Sequence, residues 1–123
     1  FLDVDKFKQI NDNYGHQRGD DILRTIGAAI KKVSRADDYA FRYGGDEFCV
    51  VLPNCREDLA EEIYIARLNA EIKLVEPDLS LSAGILQTGP DEFNEPEVLI
   101  RKADARMYEA KKNGHKPPAL SSE

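Results

Sequence analysis

The chain has 123 residues, 33% of them charged, and a formal net charge of −6 at pH 7. That length is typical of one domain with its own core, and the acidic charge argues against a nucleic-acid partner, because a nucleic-acid backbone is bound by clustered Lys and Arg. No stretch approaches the roughly 20 apolar residues of a membrane span and no signal peptide is visible, so we expect a cytoplasmic fragment without direct membrane contact, although a parent chain could carry an anchor.

The chain opens on a short apolar segment that carries two acids. Phe1 to Asp5 reads as the end of a buried strand, and ligands in α/β folds commonly bind where strands end. Carboxylate oxygens at such a place suit Mg²⁺. We therefore predict that Asp3 is a metal ligand, whereas Asp5, which precedes the segment Lys6 to Ile10, is predicted to cap a helix.

Three apolar stripes at helical spacing predict helices whose buried faces form the core. The first of these three helices, which follows a short helix after Asp5, is expected from about Gly19 to Ser34. The members of the stripes are Ile22, Ile26, Ile30 and Val33, then Leu59, Ile63, Ala66 and Ala70, and finally Leu99, Ala103, Met107 and Ala110. Before the third stripe, residues 79–85 alternate like a strand and residues 87–96 form a polar loop.

A hairpin is predicted around the sequence Arg-Tyr-Gly-Gly-Asp-Glu-Phe at residues 42–48. Apolar runs rich in aromatic and β-branched residues lie on both sides, and the two glycines permit a tight turn with Asp46 and Glu47 at its tip. Taken alone, this turn favours an ordinary solvated hairpin. If the first strand lies beside it, Asp3 and Asp46 converge, and a site for Mg²⁺ and phosphate becomes the better interpretation.

Five motifs occur in an order and spacing that resemble the GGDEF family of diguanylate cyclases. They are Asp3–Asp12 (DVDKFKQIND), Gly15–Asp20 (GHQRGD), Arg42–Phe48 (RYGGDEF), Leu81–Ile85 (LSAGI) and Ala103–Gly114 (ADARMYEAKKNG). The resemblance implies an α/β (α+β) fold, a ferredoxin-like nucleotidyl-cyclase or polymerase palm with a central, mostly antiparallel sheet flanked by helices. The order of the predicted elements fits the same fold.

The resemblance also implies domain limits. We expect a GGDEF domain over residues 1–116 and a C-terminal tail over residues 117–123. Members of the family carry further residues before this point, so the domain is expected to be truncated at its N-terminus. A sensory or regulatory domain is expected in the parent chain.

The reaction implied by the resemblance is the condensation of two GTP molecules to cyclic di-GMP and two pyrophosphates, assisted by a divalent cation. The motif match assigns Mg²⁺, or Mn²⁺, to Asp3, Asp46 and the Val4 carbonyl. Glu47 either completes a second metal site or helps to deprotonate the attacking 3′-hydroxyl. Because each new bond joins nucleotides held by two facing domains, a homodimer is also implied.

Guanine recognition is assigned by the resemblance to Asn11 and Asp20, whose amide and carboxylate match the carbonyl and N–H groups of the base. Without the resemblance, Asn11 is interpreted as a turn former and Asp20 as a first-turn acid of the long helix. His16 is either a substrate contact or a structural histidine of the loop from Gly15 to Gly19.

The GTP phosphates are assigned to Lys111 and to the backbone amides around Phe7 and Lys8. The chain departs from the family after Lys111, since His115 stands where arginine is common and offers no bidentate fork. Lys116 is a candidate substitute for that arginine.

Arg35 and Asp38 form an Arg-x-x-Asp motif shortly before the glycine turn. Such a motif alone usually means a surface ion pair. In the family this placement marks an allosteric site at which the product inhibits the enzyme, and arginine suits both guanine and phosphate. The alternative function is a catalytically weak GGDEF domain that senses cyclic di-GMP or GTP.

Overall fold

The computed structural model describes residues 1–112, so His115, Lys116 and the predicted tail at 117–123 lie outside the described residues. Four strands and a series of helices are present. In chain order these elements are β1 (Leu2–Val4), α1 (Phe7–Tyr14), α2 (His16–Val33), β2 (Tyr39–Arg42), β3 (Glu47–Val51), α3 (Glu57–Leu59), a π-helical segment (Ala60–Ile65), α4 (Ala66–Lys73), β4 (Leu81–Ala83) and α5 (Pro96–Lys112). None of the helices within residues 1–112 is long and apolar enough to cross a membrane.

The sheet has the order β2-β3-β1-β4, and every neighbouring pair is antiparallel. β1 is therefore a central strand, in which Leu2 lies opposite Phe48 of β3 and Asp3 lies opposite Glu47. The predicted α+β architecture and the predicted hairpin, which is formed by β2 and β3, are confirmed. β4 is shorter than the predicted strand, with three residues instead of seven.

The core lies between one face of the sheet and the helices α2 and α4. The predicted stripe of α2 is confirmed, since Ile22, Ile26 and Ile30 are buried and Val33 packs at the edge of the cluster. Other core members come from β1, β3, α4 and the segment before β4, namely Leu2, Val4, Phe48, Leu68, Ile72 and Leu79. Burial of these side chains fixes the position of β1, which carries Asp3.

The predicted second stripe is wrong. Ile63 is 50% exposed and Leu59 is 37% exposed, whereas Ala60 and Leu68 are buried. The buried positions are Ala60, Leu68 and Ile72, which recur at multiples of four residues, and Tyr64 packs partly buried between them. The predicted stripe starts at the exposed Leu59 and therefore lies beside the buried face along its whole length.

The predicted helix cap at Asp5 is also wrong. Lys6 occupies the N-cap position of α1 in a left-handed conformation (φ 59°, ψ 29°), and no side chain caps the helix. Asp5 is buried instead, and its carboxylate accepts hydrogen bonds from the hydroxyls of Ser80 at 2.6 Å and Ser82 at 2.5 Å. The carboxylate therefore joins the end of β1 to β4.

Helix α2 begins earlier than predicted. Its first residue is His16, directly after Gly15, whose φ of 90° is one that glycine tolerates. The expected loop from Gly15 to Gly19 is therefore absent, and His16 is an exposed residue of the first helical turn rather than a lock on a loop. Asp20 lies in the second turn, which also excludes its interpretation as a first-turn acid.

The substitution Gly84→Ala tests the close contact between β4 and α5. A Cβ atom at this position would overlap main-chain atoms of Ala103 and Met107. We expect Gly84→Ala to lower the free energy of unfolding by about 1–3 kcal/mol, because the backbone of α5 must move away. The measurement is equilibrium unfolding in urea.

The matched control is Gly27→Ala, on α2, where a Cβ atom meets nothing within 4 Å. This change should raise stability by about 0.4–1 kcal/mol, because alanine restricts the unfolded chain and favours helix. Equal effects of the two substitutions would contradict the close packing of β4 on α5.

Candidate active site

Three acidic residues lie near one another where β1 ends and the glycine turn begins. Asp3 lies opposite Glu47 in the β1–β3 pair, and the Val4 N–H donates to the carbonyl oxygen of Asp46 at 3.3 Å. The turn closes through the N–H of Tyr43, which donates to the Glu47 carbonyl oxygen at 2.8 Å. Strand pairing thus brings together Asp3, Asp46 and Glu47 beside the Val4 main chain.

Arg42 holds the glycine turn in place, a role that the sequence did not predict. Its Nε donates to the carbonyl oxygens of Gly44 at 3.1 Å and Gly45 at 3.0 Å, and its Nη2 donates to Gly45 at 2.7 Å. Three hydrogen bonds from one planar guanidinium restrict the turn that presents Asp46. The sequence feature that could have indicated this role is the arginine two residues before the glycine pair.

The negative charges of Asp3, Asp46 and Glu47, which together we call the acidic cluster, favour binding of a cation. Burial, followed by the neighbouring Asp3 carboxylate, raises the pKa of Asp46 to about 6. Burial first, and then the charge of Asp3, also raises the pKa of Glu47. One carboxylate oxygen of Asp3, Oδ1, is buried and accepts no hydrogen bond from the described residues. The site therefore concentrates negative charge that its hydrogen bonds do not fully balance.

Lys111 approaches this cluster from the last turn of α5. Its Nζ lies 2.7 Å from Asp3 Oδ2 and 3.5 Å from the Val4 carbonyl oxygen. The predicted phosphate ligand thus contacts two of the predicted metal ligands. A partly buried ammonium at this place lowers the repulsion among the acids.

The donor atoms fit a hard divalent cation such as Mg²⁺. Asp3, Asp46 and the Val4 carbonyl supply oxygens, and the buried Oδ1 of Asp3 lacks a partner among the described residues. Residues 1–112 contain no cluster of three or more His, Cys, Asp or Glu side chains that could hold a metal ion by themselves. Such a small set is compatible with Mg²⁺, which usually binds one or two carboxylates and completes its shell with water and phosphate, and Mn²⁺ accepts the same donors.

The predicted guanine ligands lie on adjacent helices. Asn11 is on α1 and Asp20 is on α2, and the two helices are joined only by Gly15. Gly19 is buried against Asn11 so closely that a Cβ atom would overlap its Oδ1. The Asn11 Oδ1 atom is buried and has no hydrogen-bond partner among the described residues, whereas Asp20 is exposed. The Asp20 carboxylate is therefore open to a ligand, whereas the Asn11 Oδ1 is enclosed beside Gly19.

The start of α1 offers free backbone amides. The first hydrogen bond of the helix runs from the N–H of Ile10 to the carbonyl of Lys6 at 3.0 Å. The N–H groups of Phe7 and Lys8 precede it and have no intrahelical acceptor, which is the usual arrangement at a helix N-terminus and one that suits phosphate. The Lys8 ammonium itself is exposed and lies 3.6 Å from Asp12.

The Arg35 and Asp38 pair borders a separate cavity of about 530 Å³. The Asp38 carboxylate is buried and accepts the Arg35 N–H at 2.7 Å, while its Oδ1 has no hydrogen-bond partner in residues 1–112. The Arg35 guanidinium is 62% exposed and donates to the Pro53 carbonyl at 3.0 Å. Phe41 and Arg42 of the hairpin also line this cavity.

Comparison with known proteins identifies the family. The family description "Diguanylate cyclase, GGDEF domain" matches residues 1–117. The chain belongs to the GGDEF family. Its fold is that of GGDEF nucleotidyl-cyclase domains, as the sequence motifs and the observed sheet indicated.

Individual relatives of this GGDEF domain include cyclases and a phosphodiesterase. Diguanylate cyclase DosC of Escherichia coli K12 is 40% identical over 122 residues, which cover 92% of this chain and 26% of DosC. Cyclic di-GMP phosphodiesterase PdeR of the same organism is 38% identical over 119 residues, which cover 93% of this chain and 18% of PdeR. The chain thus spans about a quarter or less of these two relatives.

A solved structure is similar over nearly the whole domain. The GGDEF domain of DgcB from Caulobacter crescentus, in complex with c-di-GMP, has a TM-score of 0.75 and 28% sequence identity. The match covers 92% of this chain and 70% of that chain.

Asp46→Asn tests the electrostatics of the acidic cluster. Because the folded state raises the pKa of Asp46 to about 6, the folded state binds this proton more tightly than the unfolded chain, and the resulting stability is lost as the pH rises through about 6. In metal-free protein, Asp46→Asn should therefore raise the melting temperature at neutral pH. The gain should shrink as the pH falls below about 6.

The matched control is Asp58→Asn. Asp58 is exposed, and its hydrogen bond from Arg56 lowers its pKa. Neutralising Asp58 should leave the melting temperature unchanged or slightly lower at neutral pH. The same upward shift in both variants would show that repulsion within the cluster is not the cause.

Proposed function

We propose that this GGDEF domain is a diguanylate cyclase, which condenses two GTP molecules to cyclic di-GMP and releases two pyrophosphates. In each step a 3′-hydroxyl attacks the α-phosphorus of the partner nucleotide, loses its proton and displaces pyrophosphate. The observation that carries the proposal is the convergence of Asp3, Asp46 and Glu47 beside the Val4 carbonyl, next to the free amides of α1.

The acidic cluster is proposed to hold the metal and to receive a proton. Asp3, Asp46 and the Val4 carbonyl would bind Mg²⁺ or Mn²⁺. When bound, the ion would supply charge neutralisation at the phosphates and activation of the nucleophile. Glu47 either completes a second metal site or accepts the proton of the 3′-hydroxyl, and burial and the Asp3 charge raise its pKa, which makes it a stronger base.

Three helices, α1, α2 and α5, are assigned the positioning of GTP. Asn11 and Asp20 would pair with guanine, and the exposed Asp20 carboxylate on the helix that follows Asn11 supports this assignment. The amides of Phe7 and Lys8 would bind the terminal phosphates, and Lys111 would add a positive charge from the end of α5. His16, at the exposed start of α2, remains a candidate contact at the rim.

Two copies of the domain are needed for this chemistry. One domain carries one nucleotide site, while each new bond joins two nucleotides, so a homodimer must bring two sites face to face. The curated relatives are several times longer than this chain. A sensory or regulatory domain in the parent chain is therefore proposed to control how the two copies meet.

Product inhibition is proposed at Arg35 and Asp38. The exposed Arg35 guanidinium can donate to phosphate and stack on guanine, and the Asp38 Oδ1 has no hydrogen-bond partner among the described residues. The similar GGDEF domain of DgcB was solved in complex with c-di-GMP, which supports binding of the product by this fold.

A second candidate function is a sensor module that binds cyclic di-GMP or GTP with little turnover. The relative PdeR is named as a phosphodiesterase, although it contains a segment 38% identical to this chain. The ion pair between Lys111 and Asp3 also shows that one predicted phosphate ligand is engaged by a predicted metal ligand.

The first test is GTP turnover by the full-length protein in the presence of Mg²⁺, with the product identified by mass spectrometry. Cyclic di-GMP is the expected product, and Asp46→Ala should lower kcat by about a thousandfold or more, because the bound metal contributes several kcal/mol. Asp58→Ala, an exposed carboxylate outside the site, is the control and should keep wild-type activity. GTP or cyclic di-GMP binding without product would favour the sensor.

Arg35→Ala should relieve inhibition by the product without lowering the initial rate. A lost hydrogen bond from a charged group costs about 1.5–3 kcal/mol, so the inhibition constant of cyclic di-GMP should rise by about tenfold or more. Arg56→Ala is the matched control, because Arg56 is an exposed arginine paired with Asp58. Unchanged inhibition in Arg35→Ala would refute the proposed product site.

A further inference from the structure

Asp5 is a buried carboxylate to which the proposed reaction gives no role. It is 8% exposed, and each of its two oxygens accepts one hydroxyl, Oδ2 from Ser80 and Oδ1 from Ser82. Within residues 1–112 it forms no ion pair. Burial of a carboxylate without a cation costs stability, whereas an apolar side chain at the same place would avoid that cost. Asp5 therefore stabilises the fold less than an apolar residue would at the same position.

The location of Asp5 links it to the proposed metal and phosphate sites. It directly follows Val4, whose carbonyl is a proposed metal ligand, and it lies two residues before Phe7, whose amide begins the phosphate site. Between them Lys6 adopts a left-handed conformation (φ 59°), which is unfavourable for a residue with a Cβ atom. The corner between β1 and α1 must therefore be held by other contacts.

Asp5 supplies those contacts. Its N–H donates to the Ser80 carbonyl at 3.1 Å, in addition to the two hydroxyl hydrogen bonds that its carboxylate accepts. These three hydrogen bonds attach the corner to residues 80–82, where β4 pairs with β1 and Ser82 lies opposite Asp3. The direction of the Val4 carbonyl and the start of α1 thus depend on a neighbouring strand.

We infer that Asp5, together with Ser80 and Ser82, is a positioning residue that aims the Val4 carbonyl and the first amides of α1 at the metal and the GTP phosphates. The inference rests on the proposed function, because it concerns the same nucleotide site. Outer residues that orient metal ligands commonly affect metal affinity by about 10–100-fold. Asp5 is therefore expected to act on Mg²⁺ dependence rather than only on stability.

The test measures how much Mg²⁺ the full-length protein needs to bind a fluorescent GTP analogue that lacks the 3′-hydroxyl, so that no bond can form. In Asp5→Ala the half-saturating Mg²⁺ concentration should rise by about tenfold or more. Ser82→Ala, which removes one of the hydroxyl donors, should raise it in the same direction. Asp5→Asn keeps the shape and one carbonyl oxygen, so it should restore most of the wild-type Mg²⁺ dependence.

The control variant Glu57→Ala distinguishes a specific effect on Mg²⁺ dependence from a general loss of stability. The Glu57 carboxylate also joins distant segments, since it accepts hydrogen bonds from the Gln87 N–H at 3.0 Å and from Arg106 at 2.9 Å, but it lies outside the acidic cluster. This variant should lose thermal stability while its Mg²⁺ dependence stays that of the wild type. If Asp5→Ala and Ser82→Ala behave in the same way as Glu57→Ala, the inference is overturned. If the wild-type protein binds no GTP analogue, the proposed function is overturned, and this inference falls with it.

Discussion

The antiparallel pairing of β1 with β3 is the constraint on which the candidate active site depends. β1 has only three residues. Its first and last residues, Leu2 and Val4, are buried, while Asp3 between them belongs to the acidic cluster. A shift of the register by one residue would turn Asp3 into the core and expose the apolar side chains. Burial of Leu2 and Val4 therefore holds Asp3 opposite Glu47, and the position of the acids is a consequence of core packing.

The acidic cluster is electrostatically unfavourable for the fold as long as no cation is bound to it. The pKa of Asp46 is raised mainly by burial and then by Asp3, and Asp3 keeps one buried oxygen without a partner in the described part of the chain. Lys111 relieves part of this repulsion from the far end of the chain. Natural proteins commonly place such unfavourable electrostatics at functional sites, where a ligand supplies the missing charge.

The β2–β3 hairpin borders two candidate sites at once. Its turn presents Asp46, and Arg42 holds that turn through the carbonyls of Gly44 and Gly45. The same Arg42 lines the cavity beside Arg35 and Asp38. A four-residue strand with exposed side chains thus connects the acidic cluster with the proposed product site.

Features that depend on neighbouring residues were predictable from the amino-acid sequence. The glycine turn between two apolar runs predicted the hairpin, and the spacing of Ile22, Ile26 and Ile30 predicted the buried face of α2. The motif resemblance identified the family and named the candidate ligands, which periodicity could not have done. Other features became visible only in the packed fold. The helical region after β3 buries Ala60 and Leu68 and leaves Ile63 exposed, and Asp5 accepts hydrogen bonds from hydroxyls 75 and 77 residues away instead of capping the adjacent helix. Lys111 reached Asp3 across 108 residues. Such contacts depend on how separate elements pack against one another, and the local pattern around each residue carries no record of that packing.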